Sequence, residues 1–177
     1  MDPLSGLRQM LELLAGATEF SSLRIRQGEG AVSMFTLRLA DIQLLNHLRV
    51  DPSIRYTIDE PAKTYADKVF LMAQVAFGNV NTDEFSTKSE NGSPLQTLML
   101  IFNTAPRIAR AIFNVASHLK YGAATLAALE LVHTVHGKAW EDNSTVFRQI
   151  DKIGPKSITV LQSNNINSEC PSPPSHR

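Results

Sequence analysis

The apolar residues of this chain recur mainly at helical spacing. Leu4, Leu7, Met10, Leu11 and Leu14 share one face, and after Gly16 a second helix is predicted from Thr18, with Phe20 and Leu23 on one side. Residues 30–50 are apolar enough for a strand or a helix, and their periodicity does not choose between them. Asp51-Pro52-Ser53 breaks the chain, and Ile54-Arg55-Tyr56-Thr57-Ile58 alternates as a short extended segment does. From Thr64 to Phe77 the positions Tyr65, Val69, Met72, Ala73, Ala76 and Phe77 define an amphipathic helix closed by Gly78. Asn79 to Ser93 is polar and glycine-bearing and reads as a loop. One helix is predicted over Pro94 to Phe102 and another after Thr104, its cap, with Pro106 near its first turn and Arg107 to His118 as its body. The turn Lys120-Tyr121-Gly122 leads into a further helix through His136.

Trp140 to Leu161 reads as two short helices around Ile153-Gly154-Pro155-Lys156-Ser157. Pro155 fits a first helical position, where its missing N–H costs nothing, and Gly154 allows close approach of another backbone. Backbone N–H groups in a first helical turn lack intrahelical acceptors and face a partial positive charge, so an anion there is stabilised. Lys156 and Ser157 add a charge and a hydroxyl, and a phosphate held this way is bound without regard to base sequence. An ordinary helix-opening loop has the same residues, and the motif alone leaves both readings open.

Charge locates where a nucleic acid would sit. The 177 residues carry seventeen Lys and Arg against seventeen Asp and Glu, so no global field draws the chain to a polyanion. The balance is uneven, however: residues 1–103 are net −3 and residues 104–162 net +3. With 43% hydrophobic residues and only 19% charged, the composition is that of one globular domain with at most a small appendage. Cys170 is the single cysteine, which excludes a disulfide framework within the chain and fits a reducing compartment. The stretch Gly122 to Val135 is too short, and interrupted by Glu130, to suggest a membrane span, and Met1-Asp2-Pro3-Leu4 does not open a signal peptide. From Ser163 onward the chain is rich in Asn, Ser and Pro and is expected to be disordered.

The possible sites of chemistry are few. No Gly-x-x-x-x-Gly-Lys-Ser/Thr loop is present, and Asp59-Glu60-Pro61 lacks the apolar strand that precedes an acidic motor motif. No catalytic or cofactor-binding residue is therefore assigned. His133 and His136 share a helical face but lack a nearby third ligand, so a helix-end histidine pair is favoured over a metal site. Trp140 is expected to anchor the bundle to the hairpin, with base stacking as the other use of an indole beside Glu141-Asp142. On Ala105 to Asn114 the apolar face is Ile108, Ile112 and Phe113, while Arg107, Arg110 and Asn114 fall together at i, i+3 and i+7. A single strand crossing that stripe would meet two cations and an amide in register; a solvated surface would look the same.

Taken in order, these segments resemble the helicase-associated Sec-sixty-three domain of the Ski-like superfamily-two helicases, most closely that of the meiotic crossover DNA helicases of the Mer-three class. The resemblance rests on Leu11-Glu12-Leu13-Leu14 with Ala17-Thr18-Glu19-Phe20 and Leu23 to Glu29; Ile54-Arg55-Tyr56; Lys68 to Gly78 with its Gln74; Ala105 to Ile112 with both arginines; and Trp140-Glu141-Asp142 running into Ile153-Gly154-Pro155. It spans about residues 4–166. It implies a mainly α fold, with a helical bundle over 4–136, a helix-hairpin-helix over 137–166 and a disordered tail over 167–177. It also implies a strand-contacting ratchet helix near 104–118, so that Arg107 and Arg110 inherit the contact role, and a hairpin that faces nucleic acid.

In that family ATP and magnesium serve a motor that precedes the module, and the biology is DNA unwinding during meiotic recombination in the nucleus. This chain is expected to begin at the bundle and end after the hairpin, so helicase activity does not carry over to it. Between Glu29 and Ile54 it is longer than the family's usual single helix, and residues 32–43 look like an insertion or a retained intron. The expected function is a nucleic-acid-binding accessory module contacting single-stranded or branched DNA through Arg107, Arg110, Asn114, Gly154, Lys156 and Ser157, with a helicase motor or recombination proteins as partners. A helical protein-interaction scaffold and a nonfunctional gene fragment are the alternatives.

Overall fold

The computed structural model describes residues 2–23, 39–80, 94–142, 146–147, 150 and 153–164. Among them are six α-helices, α1 (Leu7–Ala15), α2 (Leu39–Val50), α3 (Tyr65–Gly78), α4 (Pro94–His118), α5 (Gly122–Gly137) and α6 (Pro155–Ser163), and a 3-10 helix over Thr18–Leu23. The expected mainly α bundle is observed. No helix of the described residues is long and apolar enough to cross a membrane.

The elements follow from local chemistry with three corrections. Leu7, Met10, Leu11 and Leu14 are buried on α1, but Leu4 precedes the helix and is exposed. Residues Thr18–Leu23 close into a 3-10 helix, longer than the three or four residues usual for one, and Phe20 plugs into the core. The third correction concerns α4, which is one helix of 25 residues, about 38 Å long, rather than two. Pro106 lies inside it. Proline in a helix interior removes one hydrogen bond and costs roughly 3 kcal/mol. Burial of Ile101, Ala105, Ile108 and Ala109 on either side of Pro106 continues one apolar stripe through the break and offsets that cost.

Residues 39–50 of the undecided stretch are helical, with Leu45 and Leu48 buried; the remainder of the expected insertion lies outside the described residues. So do most of the predicted loop and the C-terminal tail. Of the expected hairpin, α6 is present, while its first helix falls largely on residues not described.

Helix α3 runs through the centre, packed against α1, α2, α4 and the 3-10 helix. Its capping box begins it: Asp67 N–H donates to Thr64 Oγ1 at 3.1 Å and Thr64 N–H to Asp67 Oδ2 at 2.8 Å. Nine of its residues are buried, Lys68 and Gln74 among them, so it is less amphipathic than its spacing predicts. Its left-handed closing residue is Asn79 (φ 53°), not Gly78. Gly78 has another reason to be small: an added Cβ would meet Ser53 O at 3.3 Å and come within 4.0 Å of Trp140 Nε1.

The predicted extended segment is held by Gln74. Its amide accepts from Tyr56 N–H at 2.8 Å and donates to Tyr56 O at 2.9 Å, so a fully buried side chain pairs with the segment as a neighbouring strand would. Arg55 is thereby set over the Trp140 ring, 4.4 Å from its centroid. Trp140 is 4% exposed, packs edge-on against Phe77 and Tyr56, and donates its backbone N–H to Phe77 O at 3.3 Å. It is a packing anchor, and a buried indole is unavailable to stack on a base.

Helices α4 and α5 form a hairpin through the turn at Leu119-Lys120-Tyr121, where Lys120 takes the left-handed conformation (φ 59°). Both contribute small buried residues, Ala105, Ala109 and Ala116 from α4 and Ala124, Ala127 and Ala128 from α5, which let two backbones approach closely. On α5, burial pushes the Glu130 carboxyl above its ordinary range. The Glu141 and Asp142 carboxylates add to that effect, and Arg55 opposes it.

Three changes test this packing. Replacing Gln74 by the similarly sized methionine leaves Tyr56 without its two partners, and a loss of about 2–3 kcal/mol is expected in urea unfolding. Pro106→Ala restores an N–H to α4 and should raise stability by about 1–2 kcal/mol, the lost rigidity of the unfolded chain being the smaller effect. For Glu130 the folded state favours the protonated carboxyl. Above the ordinary value of 4.5 the folded chain therefore carries an ionised group it disfavours, whereas below it both states are neutral. Glu130→Gln should accordingly raise the melting temperature at neutral pH, an advantage that disappears in melts below pH about 4.

Candidate nucleic-acid interface

One face of α4 carries no buried side chain from Asn103 to Ser117. Residues three and four apart lie on one side of a helix, and Asn103, Arg107, Arg110, Asn114 and Ser117 follow that spacing and are all exposed. The opposite side is the buried stripe of Ile101, Ala105, Ile108, Ala109 and Ala116. Core packing therefore fixes the direction in which the polar row points.

The two arginines are treated differently by their neighbours. Arg107, 74% exposed, has its Nη2 3.6 Å from Glu19 Oε1 of the 3-10 helix, an ion pair too long to be a hydrogen bond. Arg110 Nη2 lies 3.2 Å from His136 Nε2 in the last turn of α5. A guanidinium only donates, so His136 Nε2 is the acceptor. Of the two histidines that share a face, His133 turns to a different partner, Glu141, at 2.8 Å. Among the described residues no group of three or more His, Cys, Asp or Glu is arranged to hold a metal ion.

The second predicted set lies at the start of α6. Ile158 N–H donates to Gly154 O at 3.2 Å, so Gly154 precedes the first turn and Pro155 opens it. The N–H groups of Lys156 and Ser157 are then first-turn donors without intrahelical acceptors, and both residues are exposed. A Cβ on Gly154 would meet nothing within 4 Å, and its φ is not in the left-handed region. Among the described residues no contact requires a glycine there.

The structure thus brings Arg107, Arg110 and Asn114 onto one face of α4 and sets Gly154, Lys156 and Ser157 at the start of another helix, α6. Asn103 and Ser117 extend the row beyond the predicted residues, and the repeat of four and three that includes them is visible in the sequence. Glu19 and His136 were not predicted as neighbours of the arginines. The contact of Arg110 with His136, 26 residues away, depends on the register of the α4–α5 hairpin, which no local pattern encodes.

The family model of the Sec63 Brl domain matches residues 1–175. The chain is similar to the probable ATP-dependent DNA helicase HFM1 of Mus musculus, 32% identical over 122 residues that cover 67% of this chain and 8% of that protein. It is also similar to the ATP-dependent DNA helicase MER3 of Saccharomyces cerevisiae, 24% identical over 92% of this chain and 13% of that one. A third relative is the activating signal cointegrator 1 complex subunit 3-like protein of Dictyostelium discoideum, 29% identical over 91% of this chain and 6% of its own length. The chain therefore corresponds to a small part of each relative, about a tenth of its length. With nearly its whole length matched by that family model, the chain belongs to the Sec63 Brl domain family.

Proposed function

We propose that this chain is a nucleic-acid-binding accessory module of a meiotic-type ATP-dependent DNA helicase, and that it guides single-stranded DNA along the exposed row of α4. The observation that carries the reading is the row itself. Two guanidiniums and two amides, Asn103, Arg107, Arg110 and Asn114, are aligned on one face by the burial of the other, in a chain without net charge. Cations attract phosphates and release their counterions, while amides add hydrogen bonds without charge, so such a row suits a strand held by its backbone. The first turn of α6, with Lys156 and Ser157 exposed, supplies a second backbone contact.

In this reading ATP hydrolysis belongs to a motor domain, which is the main protein partner, together with recombination proteins. The nuclear, meiotic setting follows from the resemblance to the Mer-three class. The helical scaffold reading finds support in exposed apolar side chains on α4 and α5, such as Leu95, Met99 and Leu126, and the two roles are compatible on different faces.

The test is fluorescence anisotropy of the full chain with labelled oligothymidylate at about 50 mM salt. Arg107→Ala and Lys156→Ala should each weaken binding about fivefold and reduce the slope of log affinity against log salt by about 0.7, the value for one phosphate of a single strand. Absence of binding by the unmodified chain at that salt would overturn the proposal.

A further inference from the structure

We infer that His136 is a positioning residue for the strand contact at Arg110, a role that rests on the nucleic-acid reading above. The basis is a contrast between the two arginines of the row. Arg107 is attended by a carboxylate, Glu19, whose opposite charge 3.6 Å away offsets part of its own. Arg110 is attended by a neutral acceptor, His136 Nε2 at 3.2 Å. An imidazole accepting one N–H orients the guanidinium without cancelling any of its charge, and most of its five N–H donors remain for an anion.

Orientation matters here because a free arginine side chain has many rotamers, and part of that freedom is lost on forming any fixed contact. A guanidinium already held before the strand arrives loses less on binding. The held position is itself anchored. His136 lies in the last turn of α5, which closes at Lys138 in the left-handed conformation (φ 49°) with Ala139 N–H donating to Thr134 O. Trp140 follows directly and is buried against Phe77. The alanine-lined contact of α4 with α5 sets the register that brings position 136 to position 110. His133, the other imidazole on this face, is held by Glu141 and does not compete for Arg110.

The experiment is a double-mutant cycle in the full chain, read by anisotropy with oligothymidylate of about fifteen nucleotides. His136→Ala should weaken binding about threefold and leave the salt slope unchanged, because no cation is removed. Arg110→Ala should weaken it more and lower the slope by about 0.7. His136→Gln keeps an acceptor and should retain most of the affinity, which separates positioning from any effect of the alanine variant on folding. In the Arg110→Ala background, His136→Ala should have no further effect. Independent, additive losses in the double variant, or unchanged affinity in His136→Ala, would overturn the inference while leaving the function standing, provided Arg107→Ala still weakens binding. If the unmodified chain binds no oligothymidylate, the functional reading fails and this inference with it.

Discussion

The side-chain amide of Gln74 takes the place of a β-strand. A central helix surrounded by other elements has no water to satisfy its polar groups, and Gln74 uses both ends of its amide on the backbone of Tyr56. The other contacts at this end of the bundle depend on that pairing. With Tyr56 fixed, Arg55 lies over Trp140 and pairs with Asp142, Trp140 closes over Phe77 and Gly78, and the chain leaves α5 in a set direction. A core made of side chains alone would fill the same space without fixing where the extended segment runs, because dispersion contacts have little directional preference and a pair of amide hydrogen bonds has much.

The legible parts of the fold were those determined by local periodicity. The apolar spacing on α1, the run from Thr64 to Phe77 and the run from Gly122 to the end of α5 each identify an element without reference to the rest of the chain, whereas Thr104, read locally as a cap, lies inside α4. The failures have a common cause. Pro106 reads locally as a helix start because proline favours a first turn, and only the stripe continuing from Ile101 to Ala116 shows that one helix passes through it. Gly78 reads locally as a helix end and α3 does end there, yet the left-handed residue that closes it is Asn79, and the small size of Gly78 serves the approach of Ser53 and Trp140 from distant parts of the chain. Tertiary contact decides the residue's role in both cases.

The candidate site was legible to the same degree. Arg107, Arg110 and Asn114 share a face by spacing alone, and the exposed side of α4 is where that spacing puts them. What surrounds the arginines was not legible, since Glu19 and His136 reach them from elements whose packing is set by the whole core. The net-neutral composition, which argues against a general attraction to polyanions, is compatible with a local track because the field near a surface depends on the nearest few charges. At physiological salt the screening length is about 8 Å, so acidic residues elsewhere on the bundle have little influence on a phosphate at the row.

The pairing of Arg107 with Glu19 also bears on how far the charge of the row is felt. An exposed pair of this kind contributes about 0–1 kcal/mol to stability, and at distances well beyond its own 3.6 Å separation the two opposite charges largely cancel. Arg110 lies beside an imidazole rather than a carboxylate. The long-range field of the row therefore centres on position 110 and not midway between its two arginines.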